Sequence, residues 1–303
     1  MRALIIGGNG FIGSHLVDAF LAAKVKVRVF DRMPERYRAP LPDVEYYRGS
    51  LDDSAALSEA LHDIDIVYHL ASTTVPSTSN KDPIGDINSN LVNSVKLLQL
   101  MQQHGVNRIV YLSSGGTVYG IPEVPVVSER HPLHPICSYG IVKVAIENYM
   151  HMFHHLYGLE YVCLRVSNPY GPRQGHLGVQ GVIGTFLSRM KEGTPIQIWG
   201  DGSIIRDYIY VTDLAELCVK ARHISRSGIF NAGSGQGATL LQIVDILSGL
   251  HDAPVVPEFL PSRNYDVPKI VLDIEKSRHA FDWAPTVTLD QGIRATWKWL
   301  GTL

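Results

Sequence analysis

The sequence predicts an α/β protein built on a doubly wound parallel sheet, followed by a smaller mixed α/β region. Three observations carry this. Over residues 1–165 short apolar runs alternate with longer amphipathic stretches, the grammar of strand–helix–strand units. The runs are apolar nearly throughout, as suits strands covered on both faces. After Asn168 the texture changes: Pro169, Gly171, Pro172, Gly175, Gly178 and Gly181 crowd together, as in a loop whose backbone approaches a ligand.

In chain order, strands are expected at 3–6, 26–30, 64–70, 108–113 and 161–166, where the apolar runs lie. Helices are expected between them at 11–22, 54–61, 88–104 and 139–157, the last two long enough to extend beyond the sheet. Residues 1–166 then form the sheet domain, which the chain rejoins at about 205–225, and residues 167–303 mainly form the second region.

Composition excludes several classes. The 27 Lys and Arg nearly balance the 29 Asp and Glu, so no surplus of either sign recommends nucleic acid or an anionic membrane as partner. Cys137, Cys163 and Cys218 are too few and too scattered for a disulfide framework or a paired zinc signature, which fits a reducing compartment. No apolar run approaches the ~18 to 20 residues of a membrane span. The first strand runs straight into a glycine turn, unlike a cleavable leader, so a cytoplasmic protein is expected.

Gly7-Gly8-Asn9-Gly10-Phe11-Ile12-Gly13 sets Gly7, Gly10 and Gly13 three apart between the first strand and the first helix. In that context the glycines supply a tight turn, close approach of backbone to a pyrophosphate, and close helix-to-strand contact, the dinucleotide fingerprint of a Rossmann domain. Asp31 ends the second strand, 18 residues after Gly13, where a carboxylate binds the adenosine ribose hydroxyls and repels a 2′-phosphate. Arg32 follows it and would welcome such a phosphate. The carboxylate rule favours NAD as cofactor.

Tyr139 and Lys143 have the Tyr-x-x-x-Lys spacing, which stacks both side chains on one helix face. Alone it is also an ordinary amphipathic helix start. Placed after a nucleotide motif it gains a chemistry: a lysine ammonium and a cationic nicotinamide both favour phenolate, preparing the phenol to exchange a proton with a hydroxyl.

With these motifs the chain resembles the extended short-chain dehydrogenase/reductase family, specifically its nucleotide-sugar epimerases of the UDP-glucose 4-epimerase type. The likeness spans the chain. It includes His69-Leu70-Ala71-Ser72, Asn90, Ser113-Ser114-Gly115-Gly116-Thr117-Val118-Tyr119-Gly120, Arg165 to Pro172, and Gly200-Asp201-Gly202 running on to Arg206-Asp207-Tyr208-Ile209-Tyr210-Val211. It implies that Tyr139 and Lys143 do acid/base work at carbon 4 of a UDP-sugar. Phe11, Ile12, Leu51, Leu70, Ala71, Ser72, Asn90 and Ser113 join the glycines, Asp31 and Arg32 around NAD. Asn168, Arg206 and Arg263 hold the nucleotide diphosphate, and Asp266 and Pro268 agree with the family pattern. Ile270 falls where many galactose epimerases limit pocket size.

Two departures stand out. Counted back from Val118-Tyr119-Gly120, the family's catalytic hydroxyl lands on Gly115; counted from the strand it lands on Ser114. Ser114 is favoured, with Thr117 as substitute. At Ser50-Leu51 the family usually has an aspartate touching adenine. Gly116-Thr117 also stands where sugar dehydratases carry an Asp-Glu pair, so dehydration is disfavoured. The rival readings are a 4-keto-sugar reductase and a non-catalytic dinucleotide-binding protein.

His151, His154 and His155 read as a polar helix face or subunit contact rather than a metal set, so no metal is expected. Leu97, Leu98, Leu100 and Met101 on one long helix, and Met150, Met152, Phe153 and Leu156 on the other, exceed what one sheet face covers. A homodimer through a four-helix contact is expected, with the histidines near its rim.

Overall fold

The computed structural model describes residues 1–174, 181–223, 226–250, 255–262 and 267–302. The chain runs β1 (Arg2–Ile6), α1 (Phe11–Ala22), β2 (Lys26–Asp31), β3 (Val44–Arg48), α2 (Ser54–Ala60) and β4 (Ile66–His69). Two single turns, α3 (Pro76–Ser79) and α4 (Pro83–Asp86), lead through a π-helical turn, Ile87–Val92, into α5 (Asn93–Gln103), β5 (Arg108–Ser114), α6 (Ser138–Tyr157) and β6 (Glu160–Val166).

These strands form one parallel sheet, completed by a later strand. After β7 (Asn168–Tyr170), α7 (Val182–Lys191), β8 (Gln197–Trp199), β9 (Ile205–Tyr210) and α8 (Val211–Lys220), the chain returns to the sheet as β10 (Gly228–Ala232). The order is β10-β6-β5-β4-β1-β2-β3, all pairs parallel. It reverses between β1 and β4, so the crevice beyond their carboxyl ends is where such a sheet binds ligand.

Both faces are covered. Ala3, Ile5, Val110, Leu112 and Leu164 pack on the side of α1 and α8, and Leu4, Ile6, Ile109, Tyr111 and Cys163 on the side of α2, α5 and α6. The parallel edge strands were the ones the apolar pattern missed. β3 reads Val-Glu-Tyr-Tyr-Arg and buries only Val44, while β10 carries Gly228 and Asn231. An edge strand lacks the continuous apolar run that marks a central one.

Two expected boundaries move. The strand expected at 64–70 is Ile66–His69; Leu70 N–H still bonds Ile6 O of β1, and Leu70 already lines the crevice. The helix expected at 88–104 starts as a π turn, where Ser94 Oγ and Asn93 Nδ2 bond back to Asn90 O and Ser89 O. That turn aims Asn90 at the loop after β4.

The rest of the chain builds a smaller layer. β9 pairs with β7, β11 (Gly237–Thr239) and β13 (Lys269–Ile270), and β8 pairs with β12 (Glu258–Leu260). Around them pack α7, α9 (Leu240–Ser248) and α11 (Leu289–Leu300), through Phe186, Leu187, Ile198, Ile243 and Ile293, while α10 (Glu275–Phe281) lies against β10. Capping boxes at Thr239/Gln242 and Thr288/Gln291 start α9 and α11.

Asp207, in the Arg206 motif, proves to be an organiser of this layer. Nearly fully buried, it accepts the N–H groups of Ser234, Gly235 and Leu272, which tie β9 to the turn after β10 and to the extended stretch after β13.

Candidate active site

The glycine turn is shaped for a pyrophosphate. Gly7 has φ 86°, a conformation that favours glycine, and its N–H bonds Phe30 O at 2.9 Å. A Cβ on Gly13 would strike Gly7 O and come within 2.6 Å of Gly8 Cα, so only glycine lets α1 approach the turn. Gly10 caps α1 without a side-chain hydrogen bond, and the first turn holds no acid. Its N–H groups therefore face the crevice as an anion site.

Asp31 stands at the rim with its carboxylate held by Asn9 N–H at 3.0 Å and Met33 N–H at 2.9 Å. A groove of about 360 Å³ begins there. Of the residues expected around the cofactor, Gly7, Gly10, Asp31, Arg32, Leu51, Leu70, Ala71 and Ser72 line it. Phe11, Ile12 and Gly13 form the first turn of α1. An NAD molecule fits this donor set: an uncapped helix end for its diphosphate and a fixed carboxylate for its ribose.

Asn9, Arg36 and Asp52 also line the groove and were not singled out in the sequence. Asp52 accepts a hydrogen bond from Ser50, which holds its carboxyl below the usual range. A second carboxylate two residues beyond the expected one was the available signal.

Beyond Ala71 and Ser72 the groove adjoins a small cavity that also meets Asp86, Asn90, Tyr111, Tyr139 and Lys143. Asn90 accepts Thr73 N–H at 2.9 Å and donates to Asp86 at 2.8 Å, which holds the cavity wall. Tyr139 is half-buried in the first turn of α6, its N–H on Ser79 Oγ at 3.1 Å. Lys143 is buried and donates to Leu112 O at 2.8 Å; its Nζ stands 4.6 Å from the Tyr111 ring centre and 5.3 Å from that of Tyr139.

Without a cofactor the balance at the pair is set by burial. Burial pushes the Tyr139 phenol well above its ordinary range, with Cys137 and Asp86 adding to the rise. Burial also pulls Lys143 down to about 8, against the opposing pull of Glu147 and Asp86. The lysine binds a backbone carbonyl, and the phenol of the chain alone keeps its proton.

Ser113 has its side chain engaged within the protein. Its hydroxyl donates to Glu147 Oε1 at 2.5 Å, on the α6 side of the sheet, where Glu147 also pairs with Arg165 at 2.6 Å. A period-two strand places Ser114 on the opposite face. At Gly115 a Cβ would meet Leu272 Cδ1 at 2.5 Å and Arg165 O at 2.9 Å, so no hydroxyl side chain fits at the position counted from Val118-Tyr119-Gly120. Thr117 lies against α6, its carbonyl 2.9 Å from where a Cβ on Gly140 would be. Among the described residues its buried Oγ1 has no partner.

A second depression, about 280 Å³, brings Asn168 and Arg206 together with Tyr208 and Trp199. Asn168 Nδ2 donates to Asp207 O at 2.8 Å. Arg263, expected with them, and Asp266 lie outside the described residues, as do Gly175 and Gly178. Ile270 is 2% exposed, pairs in register with Arg206 and packs in the core shared with Val127 and Leu272. His69 is buried with Nε2 2.9 Å from Ser94 Oγ, and His154 Nδ1 meets Leu159 O at 2.7 Å. A larger cavity of about 650 Å³ lies at the β10 edge among Glu129, Arg226 and Lys276, away from all of these groups.

Comparison with known proteins places this geometry. The model of the NAD dependent epimerase/dehydratase family matches residues 3–233. The UDP-glucose 4-epimerase of Mycolicibacterium smegmatis is 35% identical over 305 residues, covering 98% of this chain and 97% of that protein. The crystal structure of UDP-glucose 4-epimerase from Thermotoga maritima with UDP-glucose superposes with a TM-score of 0.95 at 34% identity, covering 100% of this chain and 99% of the other. That of the Thermus thermophilus UDP-glucose 4-epimerase in complex with NAD gives 0.92 at 34% identity, covering both chains in full.

Proposed function

The chain belongs to the NAD dependent epimerase/dehydratase family, and from that premise we propose that it inverts carbon 4 of a UDP-linked hexose through a transient 4-keto sugar. One observation carries the reading: Tyr139 and Lys143 line a small cavity that shares its Ala71–Ser72 wall with the dinucleotide groove. Bound NAD supplies the hydride acceptor and donor for carbon 4 and a positive charge beside the phenol.

The chain's own groups do the rest. Tyr139 takes the proton of the 4-hydroxyl and later returns it, general acid/base work of ~10² to 10⁴ in rate. Lys143, pinned on Leu112 O, provides the positive charge that favours phenolate once the site is filled. Asn168 and Arg206, with Arg263, hold the diphosphate by planar and charge-assisted donors. For the hydroxyl that steadies the reacting oxygen, Thr117 is preferred to Ser114. Among the described residues its buried Oγ1 lacks a partner, and its backbone abuts the turn that carries Tyr139.

The same reading includes a homodimer and a cytoplasmic setting. Ile84 and Ile141 are 67% and 56% exposed, and Val92, Met152 and Leu156 add to an apolar surface over the π turn and α6, which pack together. Leu97, Leu98, Met101, Met150 and Phe153 are covered within the chain, so they do not form that surface as the sequence suggested. Among the described residues no helix is long and apolar enough to cross a membrane.

The test is conversion of UDP-glucose by purified protein with no added NAD(P)H. UDP-galactose forms if cofactor is regenerated within each turnover. Unchanged UDP-glucose, with reduction of a UDP-4-keto-hexose in proportion to added NAD(P)H, identifies a reductase and overturns the reading.

A further inference from the structure

Tyr139 and Lys143 share their cavity with an acid that the Tyr-x-x-x-Lys motif leaves out. Asp86, at the end of α4, is 1% exposed. Its Oδ1 accepts hydrogen bonds from Thr74 Oγ1 at 2.7 Å and Asn90 Nδ2 at 2.8 Å, and its Oδ2 accepts one from Ser138 Oγ at 2.7 Å. All three donors are neutral. Ser138 immediately precedes Tyr139, so the acid holds the turn from which the phenol projects.

The other titratable groups around the pair are accounted for. From β4 comes His69, which burial pulls down to about 3 and leaves neutral. From β5 and β6 come the Tyr111 phenol and the Cys163 thiol, both pushed far up by burial. On α6 or just before it, burial raises the Cys137 thiol, and Glu147 is held by the Arg165 guanidinium. That leaves Asp86 as the carboxylate beside Lys143 with no cation bonded to it. A buried charge costs several kcal/mol unless an opposite one offsets it.

We propose that Asp86 is a positioning residue for the acid/base pair: its carboxylate balances the Lys143 ammonium across the shared cavity and, through Ser138, fixes the turn that presents Tyr139. The proposal rests on the reading of Tyr139 as the group that exchanges the proton. A negative charge here favours the proton on Lys143 and opposes ionisation of Tyr139, in agreement with the direction in which Asp86 acts on both. Removing it moves both titrations toward lower pH.

The test is the pH profile of kcat for wild type, Asp86→Asn and Asp86→Glu, each NAD-loaded. Asp86→Asn is expected to lose about tenfold at the optimum and to shift both limbs down by about half a unit or more. Asp86→Glu keeps the charge and returns both limbs to their wild-type positions. A structural role alone lowers the maximum and leaves the limbs in place, and that result overturns the proposal.

If Asp86→Asn does not fold, Ser138→Ala serves: it is expected to lower kcat severalfold with both limbs unmoved, and an unchanged kcat refutes the tether. An ultraviolet difference titration of each NAD-loaded protein against the same protein carrying Tyr139→Phe reports the phenol without any sugar. Absence of turnover in wild type counts against the reading of the reaction, whereas a Tyr139 titration that Asp86→Asn does not move counts against Asp86.

Discussion

Tyr139 decides the chemistry at the level of single residues. Replacing it with phenylalanine removes the proton carrier but leaves the ring that Lys143 faces. Turnover is expected to fall at least a hundredfold while UDP affinity by calorimetry stays within about twofold. Near-normal turnover would remove Tyr139 from the mechanism. The hydroxyl loop gives a ranking. Thr117→Val is expected to slow hydride transfer more than Ser114→Ala in single-turnover absorbance, and the opposite order would restore Ser114 as the steadying group.

The glycines, Asp31, Tyr139 and Lys143 were legible at this scale because each belongs to a short motif with local spacing. Asp86 and Thr117 were harder, since their meaning depends on Ser138 and Gly140 arriving from far along the chain. For Thr117 the ambiguity lay in the loop itself. The Leu272 side chain and the Arg165 carbonyl, both close over Gly115, show which position has no room for a hydroxyl.

Among the elements, α6 carries the site and is anchored at both ends of its active face. Its first turn is held by Asp86 and Ser79, and one turn beyond Lys143 the Glu147 carboxylate meets Arg165 of β6, both 2% exposed. Removing one partner leaves a buried charge. Arg165→Met is expected to cost about 3–5 kcal/mol in chemical denaturation of the NAD-loaded protein. Adding Glu147→Gln should recover much of that loss. A double variant no more stable than Arg165→Met would show that the pair acts by packing alone.

The central strands and the four helices between them were readable from periodicity. The π turn was not, because its side-chain bonds from Asn93 and Ser94 to the backbone resemble any polar helix face until the turn is seen to widen. The edge strands β3 and β10 escaped for the reason already given: their sequences carry too little apolar signal.

At the scale of the whole molecule, the apolar surface over the π turn and α6 needs a cover. Light scattering at micromolar concentration is expected to give twice the 33.5 kDa chain mass. Ile141→Glu with Leu156→Glu should return the chain mass, and a monomeric wild type would mean that this surface stays bare in solution.

The proposed cycle at carbon 4 closes on one bound NAD and one phenol. Its most direct test is UDP-glucose carrying deuterium at carbon 4, converted by the purified protein in ordinary water with free NADH present. The UDP-galactose formed is expected to keep deuterium at carbon 4, since the hydride leaves and returns within one site. Product with hydrogen at carbon 4, drawn from the free NADH, would contradict it.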